Sequence, residues 1–79
     1  MININEIYED LNNSKLVLQE RIDSLFTTTT EIEDLIEEIR ENMIQCRHAV
    51  ERQHFDVYYS LNNVSNDLFE KLDWLLVNL

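Results

Sequence analysis

The sequence predicts an all-α protein, an antiparallel helical hairpin with a third, C-terminal helix, in a small bundle that oligomerisation or a partner completes. Its 79 residues contain no glycine and no proline, which removes the usual material of tight hairpins and glycine-rich phosphate loops. Apolar side chains recur every three or four positions, as one face of a helix requires. Hydrophobic residues make up 44% of the chain, so we expect it to fold despite a net charge of −10.

The first predicted helix covers residues 4–26. Its apolar positions are spaced by threes and fours and are Ile4, Ile7 or Tyr8, Leu11, Leu18, Ile22, and Leu25 or Phe26. Lys15 falls on the same face, where its aliphatic stem can cover apolar surface while its ammonium group stays in water. We expect this face to pack against the second helix of the hairpin.

A run of four threonines, residues 27–30, predicts the turn after the first helix. Their β-branched side chains and hydroxyl groups favour caps and extended turns over helix interiors. Thr30 with Glu33 fits a capping box, and Thr28 with Glu31 offers a second register. We therefore expect the second helix to begin at residue 31.

The second and third helices are predicted at residues 31–60 and 65–79. The apolar positions of this half keep a period near 3.6. They are Ile32, Leu35, Ile36, Ile39, Met43, Cys46, Val50, Val57, Leu61, Val64, Leu68, Leu72, Leu75 and Leu79. Periodicity alone also allows one unbroken helix. We place a break in the segment SLNNVSND because asparagine and serine are weak helix formers, and Ser65 or Asn66 could cap a third helix.

Composition excludes several kinds of site and favours one cellular compartment. A single cysteine, Cys46, excludes an intramolecular disulfide and a multi-cysteine zinc site from one chain, and it fits a reducing compartment. No segment approaches the roughly 18 uninterrupted apolar residues of a membrane span, and the N-terminus lacks the basic start and apolar core of a signal peptide. We therefore expect a mature cytoplasmic chain that forms a single helical domain over residues 1–79.

Charge and size indicate the kind of partner. Sixteen acidic side chains against six basic ones would repel phosphate groups, so we expect no direct binding to nucleic acid or to a membrane. A basic protein surface is the more natural complement. With 79 residues the chain is near the lower limit for folding unaided, which favours help from a homo-oligomer or a partner.

The segment CRHAVERQHFDVYY, residues 46–59, raises two chemical alternatives. Glu51 and His54 have the Glu-x-x-His spacing of carboxylate-bridged metal sites in helical bundles, which makes a ferritin-like, metal-binding oligomer one alternative. A cysteine nucleophile is the other, but Cys46 falls on the predicted core line, where a thiol behaves as an inert small hydrophobe. We therefore expect neither an enzyme nor a cofactor.

Three aromatic residues of this segment, Phe55, Tyr58 and Tyr59, are placed opposite the line of Val50 and Val57 if the helix continues through residue 60. Two explanations are open: the third helix folds back over them, or another protein chain covers them. Tyrosine and phenylalanine are enriched where interfaces bury large anchors. We assign the three rings to a partner-binding surface.

The segment EIEDLIEEIRE, residues 31–41, carries six carboxylates and one basic residue, Arg40. Like charges four residues apart cost a few tenths of a kcal/mol per pair in an isolated helix. The run is either a solvated face that keeps the protein in solution or a docking face for a basic partner. The docking interpretation, which also allows imitation of a row of nucleic-acid phosphates, uses Glu33, Asp34, Glu37, Glu38 and Glu41.

The C-terminal segment LDWLLVNL, residues 72–79, is apolar nearly all round a helix. Trp74, Leu76 and Val77 point away from the line of the neighbouring leucines. Apolar surface of this extent is buried either among the other helices or in an oligomer. We assign these three residues to an oligomer interface.

These features together predict a function in recognition. We expect a small acidic helical protein–protein interaction module that acts as an inhibitor, adaptor or assembly factor by occluding a basic or groove-bearing partner. An inhibitor carried by a phage or mobile element, an antitoxin and a secretion co-chaperone all fit this description. A nucleic-acid-mimicking inhibitor and the metal-binding oligomer are the alternatives.

Overall fold

The computed structural model describes residues 3–25 and 28–78, and all of the regular structure in them is helical. The helices are α1 (Ile4–Asp23), α2 (Thr30–Glu51) and α3 (Phe55–Val77). This confirms the prediction of an all-α chain with three helices. The predicted helix end at residue 26, the start of the turn at residue 27 and the helix end at residue 79 lie outside the described residues.

The first two helices begin at side-chain caps. The Asn3 side-chain oxygen accepts hydrogen bonds from the backbone N–H groups of Asn5, at 3.0 Å, and Glu6, at 3.3 Å. Thr29 has an extended backbone, and its hydroxyl accepts a bond from the Ile32 N–H at 3.2 Å. The cap of α2 is therefore Thr29, which lies between the two threonines that the sequence patterns had suggested.

The predicted break between the second and third helices is wrong in position. The second helix ends at Glu51 rather than at residue 60, and the third begins at Phe55 rather than at residue 65. Gln53 has a φ of 59°, in the left-handed region that ends many helices. Two backbone bonds, from the N–H of Gln53 to the Val50 carbonyl and from the N–H of His54 to the Ala49 carbonyl, complete a Schellman motif.

The polar segment that was expected to break the helix lies inside α3 because packing against α2 overrides its weak helix propensity. Ser65 is buried there, and its small side chain takes little space at the contact. The side-chain amide of buried Asn42 donates to the Leu61 carbonyl at 3.1 Å. Asn42 also accepts a bond from the Cys46 thiol, with 3.6 Å between sulfur and oxygen.

Two apolar clusters form the core, one towards each end of the molecule. The buried residues of the first cluster are Ile7, Leu11, Cys46, Ala49, Val50 and Tyr58. Those of the second cluster are Leu18, Ile32, Leu35, Ile36, Ile39 and Leu72. An ion pair between Arg21 and Asp73 joins α1 to α3 beside the second cluster, with 2.6 Å between Nε and Oδ1. Each cluster contains residues from all three helices.

The early break also changes which residues of α3 face the core. A helical phase counted from Val50 places Val57 and Val64 on the core line, but these side chains are 45% and 49% exposed. The count fails because α3 starts a new axis after Gln53. Tyr58 takes the core position instead.

None of the helices in the described ranges is long and apolar enough to cross a membrane.

Candidate interaction surfaces

The acidic residues of α2 form a band on its outer side. The five predicted docking residues, Glu33, Asp34, Glu37, Glu38 and Glu41, are all exposed. At about 100° per residue they span roughly 140° of the helix surface, opposite the buried positions. We call these five residues the acidic face.

The acidic face has one basic neighbour on the same helix. An oxygen of Glu37 lies 3.7 Å from a guanidinium nitrogen of Arg40, and both side chains are mostly exposed. Exposed pairs of this kind contribute at most about 1 kcal/mol because water and salt screen them. The other four carboxylates of the face therefore add to a local negative potential.

The three predicted aromatic anchors do not share one surface. Tyr58 is only 3% exposed and belongs to the first core cluster, so its assignment to a partner-binding surface is wrong. Phe55 is half-buried against the same cluster, whereas Tyr59 is half exposed. The rings of the two tyrosines lie 5.3 Å apart between centroids. The cause is again the helix break, which moves these residues from the predicted second helix to the start of α3.

Burial also governs the acid–base properties of this cluster. It raises the pKa of the Cys46 thiol, and it is the main cause of the raised pKa of Tyr58, with the nearby charge of Asp10 second. A buried thiol with a raised pKa holds its proton and is a poor nucleophile. Cys46 lies in the first core cluster, as its place on the predicted core line suggested.

The Glu-x-x-His pair does not form on one helix. Glu51 is the last residue of α2, and His54 precedes α3 beyond the left-handed turn, so the two side chains lack the helical i, i+3 relation that a bundle metal site uses. Within residues 3–25 and 28–78, no group of three or more His, Cys, Asp or Glu side chains could hold a metal ion.

The C-terminal end of α3 carries two strongly exposed apolar side chains. Trp74 is 65% exposed and Val77 is 83% exposed, although tryptophan is usually well buried. Leu76, the third residue assigned to an oligomer interface, is half-buried against the second core cluster. It contributes to the internal core at least as much as to the surface.

The sequence did not predict the groove that lies between α1 and α2. Its volume is about 430 Å³, its floor includes Leu18, Ile22 and Met43, and all of its lining residues belong to these two helices. Three of the six basic residues of the chain line the groove: Lys15, Arg40 and Arg47. His48 lines it as well. Two patterns in the sequence could have indicated this groove. Lys15 lies on an apolar face of the first helix, and Arg40 and Arg47 are seven residues apart on the second.

Comparison with protein-family models, with curated proteins and with solved structures finds nothing that matches this chain.

Proposed function

We propose that the protein is a small acidic interaction module that occludes a basic surface of another protein through the acidic face. The observation that carries the proposal is five exposed carboxylates on the outer side of one helix, with a single arginine beside them. Inhibitor, adaptor and assembly factor are the roles that such occlusion serves. The site of action that fits a chain with one free, buried thiol is the reducing cytoplasm.

The energetics of α2 support a docking role for this face. Glu33, Glu37 and Glu41 follow one another at i, i+4, a spacing at which like charges destabilise an isolated helix by a few tenths of a kcal/mol per pair. Only the residues of the first turn regain stability from the positive end of the helix dipole. Lysine and arginine side chains of a partner would relieve the remaining repulsion and speed the encounter.

An antiparallel hairpin of α1 and α2 holds this face outward in our proposal. In its support, Ile7 near the start of α1 shares a cluster with Val50 near the end of α2, and Leu18 shares the other cluster with Ile32. The exposed end of α3, with Trp74 and Val77, completes the bundle by self-association or against the partner.

The proposal is tested by capture of proteins from the native cell on immobilised protein. The variant Glu33→Gln/Glu37→Gln/Glu41→Gln removes three charges from the acidic face and keeps the size of each side chain. We expect it to lose the proteins that the unchanged chain retains. Retention by the unchanged chain should also weaken as salt is added, because exposed charges are screened at about 8 Å in 0.15 M salt.

The matched control is Glu6→Gln/Glu9→Gln/Glu20→Gln, which removes the same charge from exposed positions on α1. If both triple variants retain the same proteins as the unchanged chain, the acidic face is not the binding surface and the proposal fails. If the captured protein binds nucleic acid, competition with duplex DNA distinguishes imitation of a phosphate row from contact elsewhere on that protein.

A further inference from the structure

The groove between α1 and α2 has the chemistry of a receptor for an acidic, apolar ridge. Its floor is apolar, and Ile44 adds a side chain at the edge that is 57% exposed. Three basic side chains, Lys15, Arg40 and Arg47, line the groove against one acidic side chain, Glu51, in a protein whose net charge is −10. A ligand that fits it has apolar side chains with carboxylates beside them.

Such a ridge is present on the same chain. Asp67, Glu70, Trp74 and Val77 are all exposed and follow one another on α3 at spacings of three, four and three, which places them on one strip of the helix, with the exposed Lys71 at its edge. The strip is about 15 Å long, because ten residue steps of 1.5 Å separate its ends. The part of α1 that lines the groove, from Leu11 to Ile22, has nearly the same length.

We propose that the groove binds the C-terminal ridge of a second copy of this chain. Trp74 is the anchor that enters the groove, since a large ring is the side chain that most often dominates an interface. Asp67 and Glu70 then lie towards the basic rim of the other copy. The contact covers the apolar surface of an exposed tryptophan and places carboxylates beside the excess of basic side chains around the groove.

This contact is head-to-tail. Ridge and groove are different surfaces of one copy, because the ridge belongs to α3 and the groove is lined by α1 and α2 alone. Each copy therefore offers one ridge and one groove, so the contacts close reciprocally between two copies, close into a larger ring or continue as a filament. The inference rests on the self-association proposed above for the end of α3, and it names the surface that receives that end.

Two variants test the two surfaces of the contact, the ridge and the groove, one at a time. Trp74→Ser removes the anchor and leaves the groove, whereas Ile44→Glu/Arg47→Glu reverses the groove chemistry and leaves the ridge. We expect the mass of the unchanged protein, measured by sedimentation, to rise with concentration. Each variant alone should associate at least about tenfold more weakly, as expected for the loss of an interface hot spot.

Mixing the two variants should restore one contact, between the ridge of the groove variant and the groove of the Trp74→Ser variant. The expected product is a 1:1 dimer and nothing larger. Trp74 is the single tryptophan of the chain, so the Trp74→Ser copy contributes no tryptophan emission. Its addition should therefore shift the emission of the groove variant to shorter wavelength as that ring leaves water.

Matched controls are Leu16→Ser, an exposed apolar residue of α1, and Arg52→Glu, an exposed basic residue outside the groove. Both should associate like the unchanged protein, and circular dichroism should show the same helix content for every variant. If Ile44→Glu/Arg47→Glu loses helix, Ile44→Ser/Arg47→Gln replaces it in the same mixing experiment.

The proposal is overturned if the unchanged protein stays monomeric at all concentrations, or if the mixture does not dimerise. If Trp74→Ser abolishes association but the groove variant does not, the end of α3 still self-associates and only the groove is the wrong receptor. Neither result affects the acidic face, whose test uses different residues and a different readout.

Discussion

The central helix α2 makes two contacts of different character. Towards α3, the small side chains of Ala49, Cys46 and Ser65 are buried, and the Asn42 amide reaches a backbone carbonyl of the neighbouring helix. Towards α1, longer side chains meet across an open groove of about 430 Å³. Small residues let two helix backbones approach closely, whereas larger ones hold the helices apart and leave space between them. The contact with α3 is therefore closely packed, whereas the contact with α1 contributes buried residues to both core clusters and also leaves a groove, the candidate receptor.

The largest expected difference between these two sides is in the cost of truncating a leucine or isoleucine. Leu72 of α3 is 1% exposed, and Leu72→Ala should lower the free energy of unfolding by about 3 kcal/mol. Ile22 at the groove is only half-buried, and Ile22→Ala should cost about 1 kcal/mol. Urea unfolding followed by circular dichroism measures both. Equal losses would mean that the groove side is packed as tightly as the α3 side.

A smaller effect is expected from the polar group at the tight contact. Asn42→Ala removes the bond to the Leu61 carbonyl and leaves space at a buried position, so the free energy of unfolding should fall by about 1–2 kcal/mol. The matched change on the α1 side is Asn12→Ala, which removes an exposed bond to Arg47. That change should stay within about 0.5 kcal/mol of the unchanged protein. A large loss for Asn12→Ala in the same urea experiment would contradict the comparison.

The smallest expected effect concerns the turn that brings α3 back against α2. The left-handed backbone conformation costs free energy for Gln53, whereas glycine adopts it freely. Gln53→Gly should therefore raise the free energy of unfolding by about 1 kcal/mol. Gln45→Gly, at an exposed position inside α2, should lower it by about 1 kcal/mol. Thermal unfolding should therefore shift in opposite directions. A destabilised Gln53→Gly protein would show that the Gln53 side chain itself stabilises the turn.

Much of the fold follows from the periodic positions in the sequence. Leu11 and Leu18 on α1, and Ile32, Ile39 and Cys46 on α2, are buried as their spacing predicts. The threonine run also contains the cap of α2. These features are local, because spacing within one helix and the chemistry of a cap depend on residues only a few positions apart.

The features that the sequence did not predict depend on contacts between residues far apart in the chain, or on a backbone conformation that the residue type does not indicate. A Schellman turn is usually marked by glycine, and Gln53 gives no such signal. Serine is typical of helix ends and turns, so the sequence alone does not indicate that Ser65 is buried inside a helix that packs against α2. The groove requires Lys15 and Arg47 from two helices to be brought together, which no single segment of sequence reveals.

The left-handed residue at the end of α2 has a geometric consequence for the topology of the whole chain. If Gln53 and its neighbours returned to right-handed dihedral angles, residues 30–77 would join into one rod of about 72 Å, far longer than the 42 Å long axis of the folded molecule. The change of helix direction is thus confined to the three residues between α2 and α3, which are Arg52, Gln53 and His54.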